Sequence, residues 1–400
     1  MIRRIARLLD DAVEAGAFPA AQACVIADGR VLHSSAHGRI PAGPTTVETR
    51  FDVASVTKVM ATTSLAHVLL SRGTIDLDDR AIEWLPELAG SRKEEIRVHH
   101  LLAHSSGLPA WRPLFLEPGE TRTRRIADEV EAALADPDEA SRAARIDACR
   151  RRVVDEAAAT PLDRQPGEGR AYSDLGYILL GELLARAAGI PFERACAAAI
   201  FRPLGLESTA FRPLAAGRPA EAPSDVAPTG LRRPRPPAPG QEELVPEGSP
   251  SARSPMGEVD DDNAWAMGGV AGHAGVFSTA IEVARWGAAI AAERAGAGAL
   301  GDPAMLDALL RPDPTPGPPR ALGFDLPSGE DSSVGRRFGR AGPLGAAGHL
   351  GFTGTSVWID FDRRIVVALL TNRVFPDRAN VAGIRAVRPA LHDAVVDALG

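Results

Sequence analysis

The sequence predicts an α+β fold in which both ends of the chain build one antiparallel sheet around an inserted, mainly helical part. Three observations carry this. Ala20 to Ile26 and Arg30 to Ser34 flank an Asp28-Gly29 turn, while Thr355 to Ile359 and Ile365 to Thr371 flank Asp360-Phe361-Asp362-Arg363-Arg364, so each end holds a hairpin pattern. A helical pattern adjoins each hairpin, over residues 2–14 and 381–399. Helical periodicity dominates the long stretch between them. A chain of 400 residues with 45% apolar and 24% charged residues has enough material for one large globular domain.

Taken in order, Ile2, Ile5, Leu8, Leu9, Ala12 and Val13 recur at helical spacing before the first hairpin. Helices are then expected over 57–72, 126–135, 142–158, 175–188, 191–200 and 279–292, the last opened by the Thr279/Glu282 capping box. Residues 204–255 are dense in Pro, Gly and Arg, and read as a long irregular, partly mobile excursion; 312–319 is a second such stretch. The expected organisation is a single domain over 1–400. Residues 1–56 and 340–400 form its α/β part, and 57–339 the helical part carrying the excursion.

Composition narrows the function. A formal net charge of -7 with no dense basic stripe argues against nucleic acid, leaving small molecules as the expected partners. The N-terminal stretch meets Asp10, Asp11 and Glu14 before any apolar run of signal-peptide length, and no later segment reaches transmembrane length, so a cytoplasmic location is expected. Cys24, Cys149 and Cys196 are scattered, which suggests buried free thiols and neither a disulfide framework nor zinc. Lysine occurs only at Lys58 and Lys93, against 43 arginines, and tyrosine only at Tyr172 and Tyr177. Arginine keeps its proton in a protein whereas a desolvated lysine can release it, so a lysine surviving such a bias needs a reason. Lys93 reads as a surface residue.

Three segments carry chemistry. Ser55-Val56-Thr57-Lys58 opens a helical run, and a spacing of three puts amine and hydroxyl on one face, with the helix N-terminus offering N–H groups to an oxyanion. Tyr172-Ser173-Asp174 opens a second helix; a phenol near ammonium groups can relay a proton. His349-Leu350-Gly351-Phe352-Thr353-Gly354-Thr355 runs as a glycine-rich turn into an apolar strand, where a substrate can approach the backbone closely.

In this order the three segments resemble the motifs of the serine β-lactamase and penicillin-binding-protein superfamily. The likeness is greatest to its class C-like branch of β-lactamases, D-alanyl-D-alanine carboxypeptidases and esterases. Residues 96–109 and 257–275 resemble further segments of that branch, the latter of a subgroup similar to penicillin-binding protein 4B. The resemblance implies a β-lactamase/transpeptidase-like fold and an acyl-enzyme on Ser55. It implies Lys58 as activator, Tyr172 as general base or relay, and an oxyanion hole from the N–H groups of Ser55 and Phe352. No cofactor or metal is called for.

Three positions depart from the family pattern. Asp174 stands where asparagine is common, so a carboxylate is available to hold Lys58 protonated and move the base role to Tyr172. His349 and Leu350 replace the lysine and threonine of a K-T-G triplet, removing a fixed cation and a hydroxyl that help to bind a substrate carboxylate. Esters or amides outside peptidoglycan are the resulting expectation for the substrate; a D-alanyl-D-alanine carboxypeptidase or β-lactamase is the alternative. Gly351, Thr353, Asn263 and Trp111 are further candidates for the pocket. A different class, a catalytically silent member that binds a ligand in the cleft, also fits the sequence. A metal-assisted reading of Asp260, Asp261, Asp262 and Asn263 with His273 does not match the spacing of an EF-hand loop, and a consecutive acidic run reads as a solvated turn.

Overall fold

The computed structural model describes residues 2–90, 92–116, 126–217, 223–230, 257–329, 332–376 and 378–399. Helix α1 (Ile2–Glu14) leads into strands β1 (Ala20–Ala27), β2 (Arg30–Ile40) and the short β3 (Gly43–Pro44). The far end supplies β7 (Ala346–Leu350), β8 (Ser356–Asp360) and β9 (Ile365–Thr371), then helix α11 (Ala382–Leu399). These strands form one antiparallel sheet in the order β3-β2-β1-β9-β8-β7, as the two hairpin patterns anticipate. The two chain ends meet where β1 pairs with β9, from Ala21 opposite Thr371 to Ala27 opposite Ile365.

Both central strands are apolar along almost their whole length because both faces of the sheet are covered; the exception in β1 is Gln22, whose amide is hydrogen-bonded to Thr46 O, Thr49 O and Ala280 N. Ala21, Ala23, Val25, Val367 and Leu369 point to α1 and α11, where Ile5, Leu9, Leu391 and Val395 complete a core. Their neighbours Cys24, Ile26, Val366, Ala368 and Leu370 point the other way, into a larger core with Trp286 and Ile290 of α9 (Ala280–Arg294). Helix α9 lies close to the strands: a Cβ on Gly287 would stand 2.6 Å from Val366 Cγ1.

The helical part comprises α2 (Ser64–Ser71), α3 (Val98–Leu102), α4 (Ile126–Leu134), α5 (Glu139–Ala159), α6 (Asp174–Ala188), α7 (Phe192–Cys196), α8 (Asp262–Ala266) and α10 (Pro303–Leu310). Helix α6 is buried over its first ten residues after Asp174, starts at Ser173, whose Oγ accepts from Gly176 N, and stops at Gly189 with φ +68°. A second sheet of β4 (Phe51–Asp52), β6 (Val276–Ser278) and β5 (Ala210–Phe211), ordered β4-β6-β5, carries the chain into the Ser55 segment.

Several expectations change. Lys93 is not a surface residue: it is 1% exposed, and its amine donates to Ala158 O at the C-terminal end of α5, a carbonyl the helix leaves unpaired. His349 and Leu350 do not lie in a turn but on β7, whose Ala-Ala-Gly start gives little strand propensity. Helix α10 escaped prediction despite a cue, the Asp302 cap before Pro303. Of the excursion at 204–255, residues 218–222 and 231–255 lie outside the described residues; the described part contains β5 and a turn at Leu214–Ala216. Among the described residues no single helix is long and apolar enough to cross a membrane.

Candidate active site

The Ser55 segment is held in a demanding conformation. Ala54, directly before Ser55, has φ +50°, a region that non-glycine residues rarely occupy. Four contacts fix it. Val53 N donates to Val276 O of β6 (3.0 Å), Ala54 N donates to Asp52 Oδ1 (2.8 Å), and Thr353 and Thr355 hydroxyls donate to Asp52 O and Val53 O (2.8 and 2.7 Å). The last two tie the serine turn to the β7–β8 turn. Gly351 completes that junction, because a Cβ there would lie 1.9 Å from Thr355 Oγ1 and 2.5 Å from Val53 O. The Asp52 carboxylate also accepts from Asp260 N (2.7 Å); burial, with the charges of Asp260 and Asp261, pushes its carboxyl up to about 7 against the pull of its two N–H donors.

From Ser55 the chain enters a π-helical stretch, Lys58–Thr63, before α2. Lys58 is fully buried, and its Nζ makes three contacts: Ser55 Oγ at 3.0 Å, Asp174 Oδ1 at 2.7 Å and His273 O at 3.2 Å. Burial favours the neutral amine, but the Asp174 carboxylate, with the Tyr172 phenol, outweighs it and holds the amine above its ordinary value. The spacing argument from sequence thus meets the pairing expected for Asp174.

Tyr172 stands beside this pair, with the Lys58 Nζ 4.8 Å from its ring centroid. Burial pushes the phenol up; Lys58 and Arg320 pull it down and Asp174 adds to the rise, leaving it above the ordinary value. His104 braces it, and does more than hold its own loop. Its ring packs 4.5 Å from that of Tyr172, its Nδ1 accepts from Ser173 N (2.9 Å) and its carbonyl accepts from Ala171 N (3.0 Å), so residues on both sides of Tyr172 hang from one buried histidine. His349 is 1% exposed, with Nδ1 2.7 Å from Leu350 O. Burial brings it down to about 4, Asp325 opposing and Arg320 and Lys58 assisting, so the ring is neutral at pH 7.

Ser55, Tyr172, Asp174, His349, Gly351 and Phe352 line one cleft of about 480 Å³. The other candidates stand elsewhere. Thr353 is buried in the junction already described. Asn263 is fully buried, accepting from Phe115 N and donating to Arg112 O, and so braces that loop away from the pocket rim. Trp111 packs against the core, its ring 6.4 Å from Phe115. Neither residue lines the cleft. The carboxylates considered for a metal have partners: Asp260 and Asp262 bind Arg378 (2.7 and 3.2 Å), and Asp261 binds His273 Nε2 (2.8 Å).

Sequence reasoning allowed that one of the many arginines could compensate for the cation lost at position 349, but named none. Arg320, Arg373, Arg378, Arg385 and Arg388 all line the cleft, together with Asp174, Asp260, Asp261 and Asp325. Arg388 donates to Gly351 O and Thr355 O (2.8 and 2.7 Å). Arg373 and Arg378 stand 4.5 and 5.5 Å from the ring of Phe352, which is 37% exposed. With 43 arginines in the chain, residue type alone could not single these out. A second cavity of about 550 Å³, between α5 and α6, contains none of the three motifs.

Comparison with known proteins identifies the family and the fold. The family model described as Beta-lactamase matches residues 5–392. An N-acetylmuramyl-L-alanine amidase of Bacillus subtilis (strain 168) is 28% identical over 391 residues, covering 93% of this chain and 81% of the relative. Among solved structures, a penicillin-binding protein homologue from Caulobacter crescentus superposes with a TM-score of 0.68 at 19% identity, covering 98% of this chain and 96% of the other. EstCE1, a hydrolase with promiscuous acyltransferase activity, superposes with a TM-score of 0.65 at 20% identity, covering 98% of each chain.

Proposed function

Because the chain belongs to the beta-lactamase family of serine hydrolases, we propose that it cleaves a carboxylic ester or amide of a small molecule through an acyl-enzyme on Ser55. The observation that carries the reading is the Ser55 Oγ to Lys58 Nζ contact of 3.0 Å, in a cleft that also holds Tyr172 and the Asp174 partner of the amine. With Tyr172 ionised beside the Lys58 ammonium, Ser55 Oγ attacks the acyl carbon, its proton passes to the Tyr172 phenolate, and the phenol later protonates the leaving alcohol or amine. The N–H groups of Ser55 and Phe352 take the developing oxyanion. Water then hydrolyses the ester at Ser55. Asp174 keeps Lys58 charged, so Tyr172 has the base role.

Incubation with a fluorophosphonate, p-nitrophenyl esters and nitrocefin, followed by intact mass and peptide mapping, tests this. A covalent adduct on Ser55, absent from Ser55→Ala, is the expected result. No adduct with any reagent would sink the enzyme reading and leave the cleft to ligand binding alone.

The arginines favour a second reading, in which the substrate carries a carboxylate as D-alanyl peptides and β-lactams do. His349→Lys restores the family's cation directly at the third motif, and is expected to raise nitrocefin acylation roughly tenfold through a charge-assisted hydrogen bond. No change in that rate would show that a cation at position 349 is not what limits carboxylate recognition.

A further inference from the structure

Tyr172 is asked to accept a proton, yet burial in an uncharged pocket favours the phenol over the phenolate. Its surroundings are therefore decisive. The charged and titratable groups around it are the Lys58 ammonium, the Asp174 carboxylate, the neutral rings of His104 and His349, the Tyr177 phenol and one further cation, Arg320. Arg320 Cζ lies 4.8 Å from the Tyr172 ring centroid, the same distance as Lys58 Nζ. Lys58 shares its charge with Asp174, which contacts it at 2.7 Å, as Arg320 shares its own with Asp325, so each cation reaches the phenol alongside a counter-ion. His349, from the motif that supplies a second cation elsewhere in the family, is neutral and buried.

Arg320 arrives from a different element, and the fold holds it firmly. Its carbonyl accepts from Asp313 N (2.8 Å), and it forms an isolated β-bridge with Asp325. Asp325 is in turn bridged to Gly348 on β7, beside His349, through N–H bonds of 2.8 and 3.1 Å. The Arg320 side chain is 13% exposed and pairs with the Asp325 carboxylate, while its Nη1 is buried without a protein partner. One carboxylate thus fixes the guanidinium against the phenol ring.

We propose that Arg320 is a positioning residue for the reaction, supplying the second cation that makes the proton of Tyr172 movable in place of the cation missing from position 349. This rests on the reading of Tyr172 as base. The chain suits a direct test, because it has only two tyrosines. Tyrosinate formation is followed by ultraviolet absorbance against pH, and the same titration of Tyr172→Phe identifies the Tyr172 component. Circular dichroism at each pH confirms that the fold persists. In Arg320→Gln the Tyr172 transition is expected to move up by about one pH unit, tenfold in proton affinity. Acylation of Ser55 should fall by about the same factor, with its rise against pH displaced in the same direction. Arg320→Lys should restore most of both. Asp325→Asn, which leaves the guanidinium without its counter-ion, should move the transition down in protein whose circular dichroism is native; the upward shift in Arg320→Gln is the sign that loss of folding does not produce, because exposure brings a buried phenol down.

A Tyr172 transition unmoved in Arg320→Gln would overturn the proposal. So would equal shifts in Arg320→Gln and Arg320→Lys, since packing and not charge would then be responsible. A raised KM confined to anionic substrates, with the titration unchanged, would assign Arg320 to substrate binding instead. The titration requires no turnover, so it stands or falls separately from the labelling of Ser55.

Discussion

Lys58→Arg is expected to slow the acylation of Ser55 by about a thousandfold or more, although the charge is kept. The amine is fully buried and meets Ser55 Oγ, Asp174 Oδ1 and His273 O in three directions at 3.0, 2.7 and 3.2 Å. A compact ammonium satisfies three such acceptors; a planar guanidinium on a longer reach directs its donors in one plane. It must also fit where no space is open, at a cost of about 1–3 kcal/mol. The 3.0 Å contact to Ser55 Oγ, which orients the nucleophile beside Tyr172, is lost with that geometry. The rate of fluorophosphonate labelling, read with the urea midpoint, separates the chemical loss from the packing loss. Wild-type labelling in a folded Lys58→Arg protein would remove Lys58 from the mechanism.

The same residue shows why part of this site was legible. A spacing of three along a helix survives any tertiary arrangement, so Ser55 and Lys58 could be paired before their surroundings were known. The hairpins were legible for a similar reason, because turn residues and neighbouring apolar runs are local. What was not legible depends on separate elements meeting. Lys93 looks solvated beside Glu94 and Glu95, and only the packing of α5 puts Ala158 O against it. Both lysines that survive the arginine bias are therefore buried, one in the site and one at a helix end. Asn263 lies within, and Trp111 just beyond, the further segments 257–275 and 96–109 that resemble the family, yet one braces the loop at Phe115 and the other packs against the core. Arg320 and Arg388 come from the loop before β7 and from α11, and nothing in their local sequence announces Tyr172 or Gly351 as neighbours.

Gly272→Ala tests how tightly the fold and the site are joined. A Cβ on Gly272 would stand 2.1 Å from Tyr177 O and 2.9 Å from the Cα of Gly181, and a Cβ on Gly181 would stand 2.8 Å from the Cα of Gly272. Each obstacle is backbone, so no rotamer change relieves it. Either α6 or the Gly272 segment has to move. The expected loss is about 3 kcal/mol, the upper part of the range for overpacking, read as a lower urea midpoint. The site should respond as well, because Gly272 O accepts from the Thr62 hydroxyl (2.5 Å) and the next carbonyl, His273 O, accepts from Lys58. Shifting these acceptors withdraws one of the three contacts that orient the amine. Ser55 labelling is therefore expected to slow even in protein that remains folded. Gly181→Ala meets the same contact from the other side, so the double variant should cost less than the sum of the singles. Full additivity would mean that the two glycines act through separate contacts. An unchanged midpoint with unchanged labelling would mean that α6 and the segment carrying the Lys58 acceptor are not packed backbone to backbone.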